Sequence, residues 1–105
     1  MPELSIDIVA GPIRPIPVVG TGAIGTVFTG KGYLCGWSLR DSTGATAFQV
    51  EFSDSGNVLA ESAGGIAGAD THSLGTAGIL FQGHVSVNVI AGTVAGVIYV
   101  AYEKP

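Results

Sequence analysis

The chain has 105 residues, the size of one domain that buries its own core without covalent staples. Only 11% of its residues are charged, against about 25% in ordinary globular proteins, and the net charge of -4 leaves just four cations, Arg14, Lys31, Arg40 and Lys104. No basic stripe exists to release counterions from phosphates, which argues against a nucleic-acid partner, while the single Cys35 excludes an intrachain disulfide and points to assembly in a reducing cytoplasm.

The 17 glycines and the many β-branched residues favour strands and turns over helices. At the N-terminus, MPELSIDIV carries an acid where a signal peptide has its basic region, so no export signal is expected. Residues 4–9 alternate, with Leu4, Ile6 and Ile8 on one face and Ser5 and Asp7 on the other, the pattern of a strand. In GPIRPIPVVG, Pro12, Pro15 and Pro17 remove backbone donors, so this segment lies on an edge or crosses to a neighbour and is barred from a sheet interior. Residues 1–19 therefore read as an extended Pro-rich arm that docks on a partner through Leu4, Ile6, Ile8, Pro12, Ile13, Arg14, Pro15, Ile16 and Pro17. Residues 20–105 read as the β-domain that carries it.

Residues 18–32, VVGTGAIGTVFTGKG, match two phosphate-binding patterns, G-x-G-x-x-G and G-x-x-x-x-G-K. Both patterns work only where a helix opens behind the glycines and aims its N-terminus at the phosphate. TVFTGKG is too rich in β-branched residues and glycine to sustain such a helix, and Gly32 stands where a Ser or Thr should reach Mg²⁺. These glycines read instead as turns around a strand centred on residues 26–29.

From Tyr33 the alternation places Tyr33, Cys35, Trp37 and Leu39 on one face, and after the turn DSTG it places Thr46, Phe48, Val50 and Phe52 on another. The two runs are expected to pair as a hairpin, with a second turn at Asp54, Ser55, Gly56 and Asn57. Residues 58–62 form a further strand, AGGIAGAD a loop or cross-over, and residues 79–81 a short strand. Positions 71–102 contain no Asp, Glu, Lys or Arg, long enough to raise the question of a membrane span. Within them Val85, Val87 and Val89 alternate with His84, Ser86 and Asn88, and Gly92 and Gly96 bracket a turn, so a closing hairpin is expected and no membrane partner. The total is seven or eight short strands with turn signals about every 8 to 12 residues, an antiparallel β-sandwich of jelly-roll-like type.

The residues with chemistry are sparse. His72 and His84 have no H-x-H spacing and Cys35 precedes both, so neither a cupin nor a blue-copper ligand set is present, and no metal or cofactor is expected. No G-x-S-x-G elbow supports a nucleophilic serine, so no catalytic residue is assigned. Asp41 and Asp54 each sit in a Ser/Gly-rich turn that an Asx turn explains. Tyr99 and Tyr102 fall on opposite faces of the last strand, one of them outside.

The paired runs GYLCGWSLRDSTGATAFQVEFSDSGNVLA and FQGHVSVNVIAGTVAGVIYVAY resemble small β-sandwich proteins of bacteriophage virions, especially capsid decoration proteins. The shared pattern is a Trp-Ser-Leu-Arg strand, a polar turn, an aromatic-rich strand, then G-x-V-x-V-x-V and a Gly-Thr-Val turn into an apolar last strand. The resemblance implies a non-enzymatic cement protein on the capsid surface of a virion, a homotrimer that binds the major capsid protein and is assembled in the host bacterial cytoplasm. Low charge suits a domain that covers its flanks with copies of itself. The alternative is a carbohydrate-binding tip module of a tail fibre or surface appendage, with Asp41, Asp54 and Tyr102 as ligand contacts.

Overall fold

In the computed structural model, residues 10–74 and 78–103 are described, and they form nine strands and no helix. The strands are β1 (Ala10–Gly20), β2 (Ala23–Thr29), β3 (Gly32–Asp41), β4 (Phe48–Asp54), β5 (Asn57–Gly64), β6 (Ala69–Ser73), β7 (Ile79–Phe81), β8 (His84–Ala91) and β9 (Val94–Glu103). The strand expected at residues 4–9 lies outside the described residues.

Two antiparallel sheets make a β-sandwich. The first has the order β1-β9-β3-β6, with β7 also on β3, and the second has the order β2-β8-β4-β5. The pairings β4 with β5, β3 with β6, β2 with β8 and β1 with β9 make the chain a long antiparallel ribbon, doubled back at Ser55-Gly56. That tip is a two-residue turn in which Ser55 (φ 50°) and Gly56 (φ 86°) are both left-handed, matching the twist of the flanking strands. The turn expected at residues 54–57 is there.

Neither of the other two expected hairpins forms, and the reason is the same for both. Strands β3 and β4 belong to opposite sheets, as do β8 and β9. Alternation shows which side chains must leave water, but a buried face is satisfied only by another buried face. Thus Trp37 of β3 meets Phe52 of β4 across the core, ring centroids 5.1 Å apart, rather than beside it in one sheet. Likewise Val85, Val87 and Val89 look across at the side that holds Val94, Ile98 and Val100. Residues 42–47 and 92–93 are therefore arches from sheet to sheet.

A second departure comes from a bulge. Leu34 pairs with Val100 and Gly36 with Tyr99, so Cys35 is the extra residue. It switches the parity of the strand: Leu34, Trp37 and Leu39 enter the core, while Tyr33 and Cys35 lie on the outer side. The segment read as the loop AGGIAGAD splits into the end of β5, a four-residue turn and the start of β6. Strand β6, with the sequence ADTHS, has no apolar alternation because it lies on the sheet edge. The Pro-rich segment from residue 10 to residue 20 is also an edge strand, paired along β9 from Ala10 to Gly20. The expected division between residues 19 and 20 thus falls inside β1.

Candidate functional site

The candidate ligand contacts are spread over the molecule. Asp41 ends β3 with only 3% of its surface exposed. Its Oδ1 accepts from the Thr93 amide at 3.0 Å and the Thr46 hydroxyl at 2.9 Å, and its Oδ2 from the Thr43 amide at 3.2 Å and the Thr43 hydroxyl. Thr43 and Thr46 lie in the β3-β4 arch and Thr93 in the β8-β9 arch, so one carboxylate ties both crossings, which also meet through the Ser42 amide on the Thr93 carbonyl. The Thr43 hydroxyl first, then the Thr93 amide, hold this carboxyl far below the usual range.

Asp54 sits at the other end of β4, six residues from Phe48, or about 20 Å at some 3.3 Å per residue. It accepts from the Gln82 amide at 2.8 Å and the His84 amide at 3.2 Å, pinning the β7-β8 crossing to the β4-β5 tip. His84 completes the tie: Nδ1 is 3.7 Å from the Asp54 carboxylate and Nε2 accepts from the Ser55 amide at 3.2 Å. The Gln82 amide leads in drawing the Asp54 pKa down, against the opposing pull of burial. Tyr102 shares this end; its ring lies 5.4 Å from that of Phe28, with the Arg14 guanidinium 5.2 Å above it. The two carboxylates therefore stand at opposite ends and turn their oxygens toward their own loops.

A third cluster was not legible as a unit in the sequence. Asp70 Oδ2 on β6 accepts from the Trp37 indole at 3.0 Å and the Ser62 hydroxyl at 2.7 Å, and its Oδ1 lies 3.0 Å from His72 Nε2. Serine, histidine and aspartate meet here, yet the buried Ser62 donates to the aspartate and not to the imidazole, so the relation of nucleophile to base is missing. The arrangement is a clamp that links β5 of one sheet to β6 of the other and anchors Trp37, whose ring also lies 5.1 Å from His72. Burial raises the Asp70 pKa, but the indole, the hydroxyl and His72 outweigh it and the net shift is downward. Asp70→Ala leaves the indole and the hydroxyl without their acceptor and is expected to cost about 2 kcal/mol in urea unfolding. Asp70→Asn, which keeps an acceptor, is expected to cost less than half as much. Among the described residues no group of three His, Cys, Asp or Glu converges on a metal position, and no helix is long and apolar enough to cross a membrane.

The outer face of the first sheet is of a different kind. On β9, Val94, Ile98 and Val100 enter the core, which turns Ala95, Val97 and Tyr99 outward. Their partners on β1 are Val19, Pro17 and Pro15, with Ile13 beyond them opposite Ala101. Strand β3 adds Tyr33, Ser38 and Arg40, and β6 adds Thr71, whose hydroxyl bonds that of Ser38 at 3.0 Å. A shallow groove of about 280 Å³ crosses this face between Ile13, Cys35, Tyr99 and residues 71–73. Cys35 lines it, but burial pushes its thiol pKa up, the direction of an unreactive group. Arg40 is the single charged side chain among those named. The second sheet presents the opposite character, with Gln49, Glu51, Ser53, Ser86 and Asn88 outward and Glu51 directly opposite Glu61.

Of the nine arm residues, Leu4, Ile6 and Ile8 lie outside the described residues. Ile13, Pro15 and Pro17 are exposed on the outer side of β1, Ile16 packs against the core, and Arg14 reaches Tyr102. Pro12 lies in the same strand. No family model, curated protein or solved structure matches the chain.

Proposed function

We propose that the protein is a non-enzymatic structural component of a bacteriophage virion, which decorates and stabilises the capsid by binding the major capsid protein as an oligomer. The observation that carries this reading is the strand plan. With the short β7 set aside, the two sheets run in the orders β1-β9-β3-β6 and β2-β8-β4-β5, and in this reading the plan is that of a jelly roll, an antiparallel ribbon rolled into two four-stranded sheets. That plan recurs in viral capsid and lectin domains. A fold alone does not assign a role; the sequence resemblance and the charge-poor outer face of the first sheet favour the capsid over the glycan. The glycan reading also asks Asp41 and Asp54 to bind a ligand with carboxylates that already hold their own loops.

In this reading the capsid contact is made by the N-terminal segment through Leu4, Ile6 and Ile8, which precede β1 in the sequence. Avidity from several arms of one oligomer adds to the affinity of each. The test is co-sedimentation with shells assembled from the cognate major capsid protein. The full chain is expected to sediment with the shells, and a chain lacking residues 1–9 is expected to stay in the supernatant with an unchanged far-ultraviolet spectrum. Equal binding by the shortened chain would remove the segment's role, and no binding by the full chain would remove the capsid reading.

A further inference from the structure

We infer that the outer face of the first sheet, centred on Val97 and Tyr99, is the surface through which two copies of this chain associate, sheet against sheet. The inference rests on the oligomeric part of the virion reading, but a face-to-face contact closes as a two-fold pair in place of the homotrimer that the resemblance implies.

Size is the first argument. Strands about 4.8 Å apart, rising about 3.3 Å per residue, give the four strands of this sheet a face of roughly 500 Å². Two such faces bury about 1,000 Å², the size at which a specific interface begins. The association is therefore reversible and depends on concentration.

Charge is the second argument. Among the described side chains of the outward set Arg40 is the one charged group, so the face offers little to a charged partner of either sign. The net charge of -4 is an obstacle to self-association only where acids meet. With the two first sheets in contact, Glu51 and Glu61 of each copy lie on the far side of its own sandwich, and the acidic surfaces point away from each other. Packing the second sheets together would instead stack four glutamates.

The edges supply the third argument. Proline in a strand must turn its ring nitrogen away from the ladder. Pro15 and Pro17 are paired with Tyr99 and Val97, so both nitrogens face the free edge of β1 and interrupt its row of donors. Edge-to-edge extension through β1 is blocked at its centre, as in natural protected edges. Face-to-face contact remains open there, and the groove beside Tyr99 offers a recess for a side chain of the second copy.

The test is mass in solution by sedimentation velocity across a roughly hundred-fold concentration range, on the full chain without capsid. The wild type is expected to rise above the monomer mass of 10.5 kDa as concentration increases. Val97→Glu, which buries a charge at the centre of the face, is expected to raise the dissociation constant about thirty-fold or more. Thr71→Glu, on the exposed edge strand of the same face, checks the result should Val97→Glu melt early. Asn88→Glu, on the outer side of the second sheet, is expected to associate like the wild type. A wild type fixed at monomer mass, or Val97→Glu and Thr71→Glu variants that associate normally, would overturn the inference. So would equal loss in Asn88→Glu. If the wild type is monomeric and Val97→Glu also fails to sediment with shells, the face belongs to the capsid contact instead. If self-association holds and no variant binds shells, the capsid reading fails alone.

Discussion

Asp41→Ala is expected to lower the melting temperature by roughly 10 °C, more than any other single polar substitution in the molecule. The carboxylate accepts from two backbone amides and two hydroxyls, and these come from two arches whose nearest donors, Thr46 and Thr93, are 47 residues apart. Removing it leaves the Thr93 amide without its acceptor and releases the β3-β4 arch, whose residues 42–47 are otherwise exposed. Asp41→Asn keeps one acceptor oxygen but turns an NH₂ toward groups that donate, so it is expected to recover only part of the loss. Thermal circular dichroism of the two variants checks both points, and a shift below about 3 °C for Asp41→Ala would show that the arches hold without it. The pH dependence follows from the sign of the shift. A carboxyl whose folded pKa is depressed adds stability that is fully present above its ordinary pKa of about 3.9. That stability is lost as pH falls through the folded value, because the unfolded chain binds the proton first. Asp54 and Asp70 are shifted in the same direction. The wild type is therefore expected to keep its urea midpoint from neutral pH down to about pH 5 and then to lose it progressively. Asp41→Ala begins lower and loses less on acidification.

The same residue shows what the sequence reveals and what it hides. Its Asx turn is local and was legible, and Thr43 donates to it two residues on. Its contact with Thr93, 52 residues away, is not written in any local pattern. Strand existence was legible wherever one face is buried: Phe48, Val50 and Phe52, or Val85, Val87 and Val89, each repeat at period two. Partnership was not, since a period of two names a face and leaves the sheet that carries the opposing face unspecified. Hence β3 with β4, and β8 with β9, read as hairpins although each pair straddles the core. Only Ser55-Gly56, whose two positive φ values demand a tight turn, specified its pairing locally. The bulge at Cys35 carries no signal of its own, because its neighbour Gly36 has many other uses in a chain with 17 glycines. The Asp70 clamp was hidden for a related reason: an edge strand such as ADTHS has no core face to mark it, and its value comes from Trp37 and Ser62 on other strands.

Deleting residues 1–19 is expected to abolish cooperative folding, whereas deleting residues 1–9 leaves it intact. The larger deletion removes all of β1 but its last residue. Val18, 1% exposed, leaves the core, and Ile16 leaves its margin, each contributing about 1.5 to 3 kcal/mol at full burial. Eight of the nine paired positions on β9 also lose their partners, along a strand that carries Val94, Ile98 and Val100. That strand then becomes a long edge without proline, the kind of edge that recruits other chains. The expected product is aggregated or unfolded protein, read as a lost thermal transition. The smaller deletion touches none of these contacts, so a capsid-binding defect in it reports on the missing segment rather than on the fold. A chain lacking residues 1–19 that melts cooperatively near the wild-type temperature would mean that β1 is a detachable arm after all. In that case Pro15 and Pro17 would serve to keep the segment extended for a partner, and the edge of the sandwich would be β9 itself.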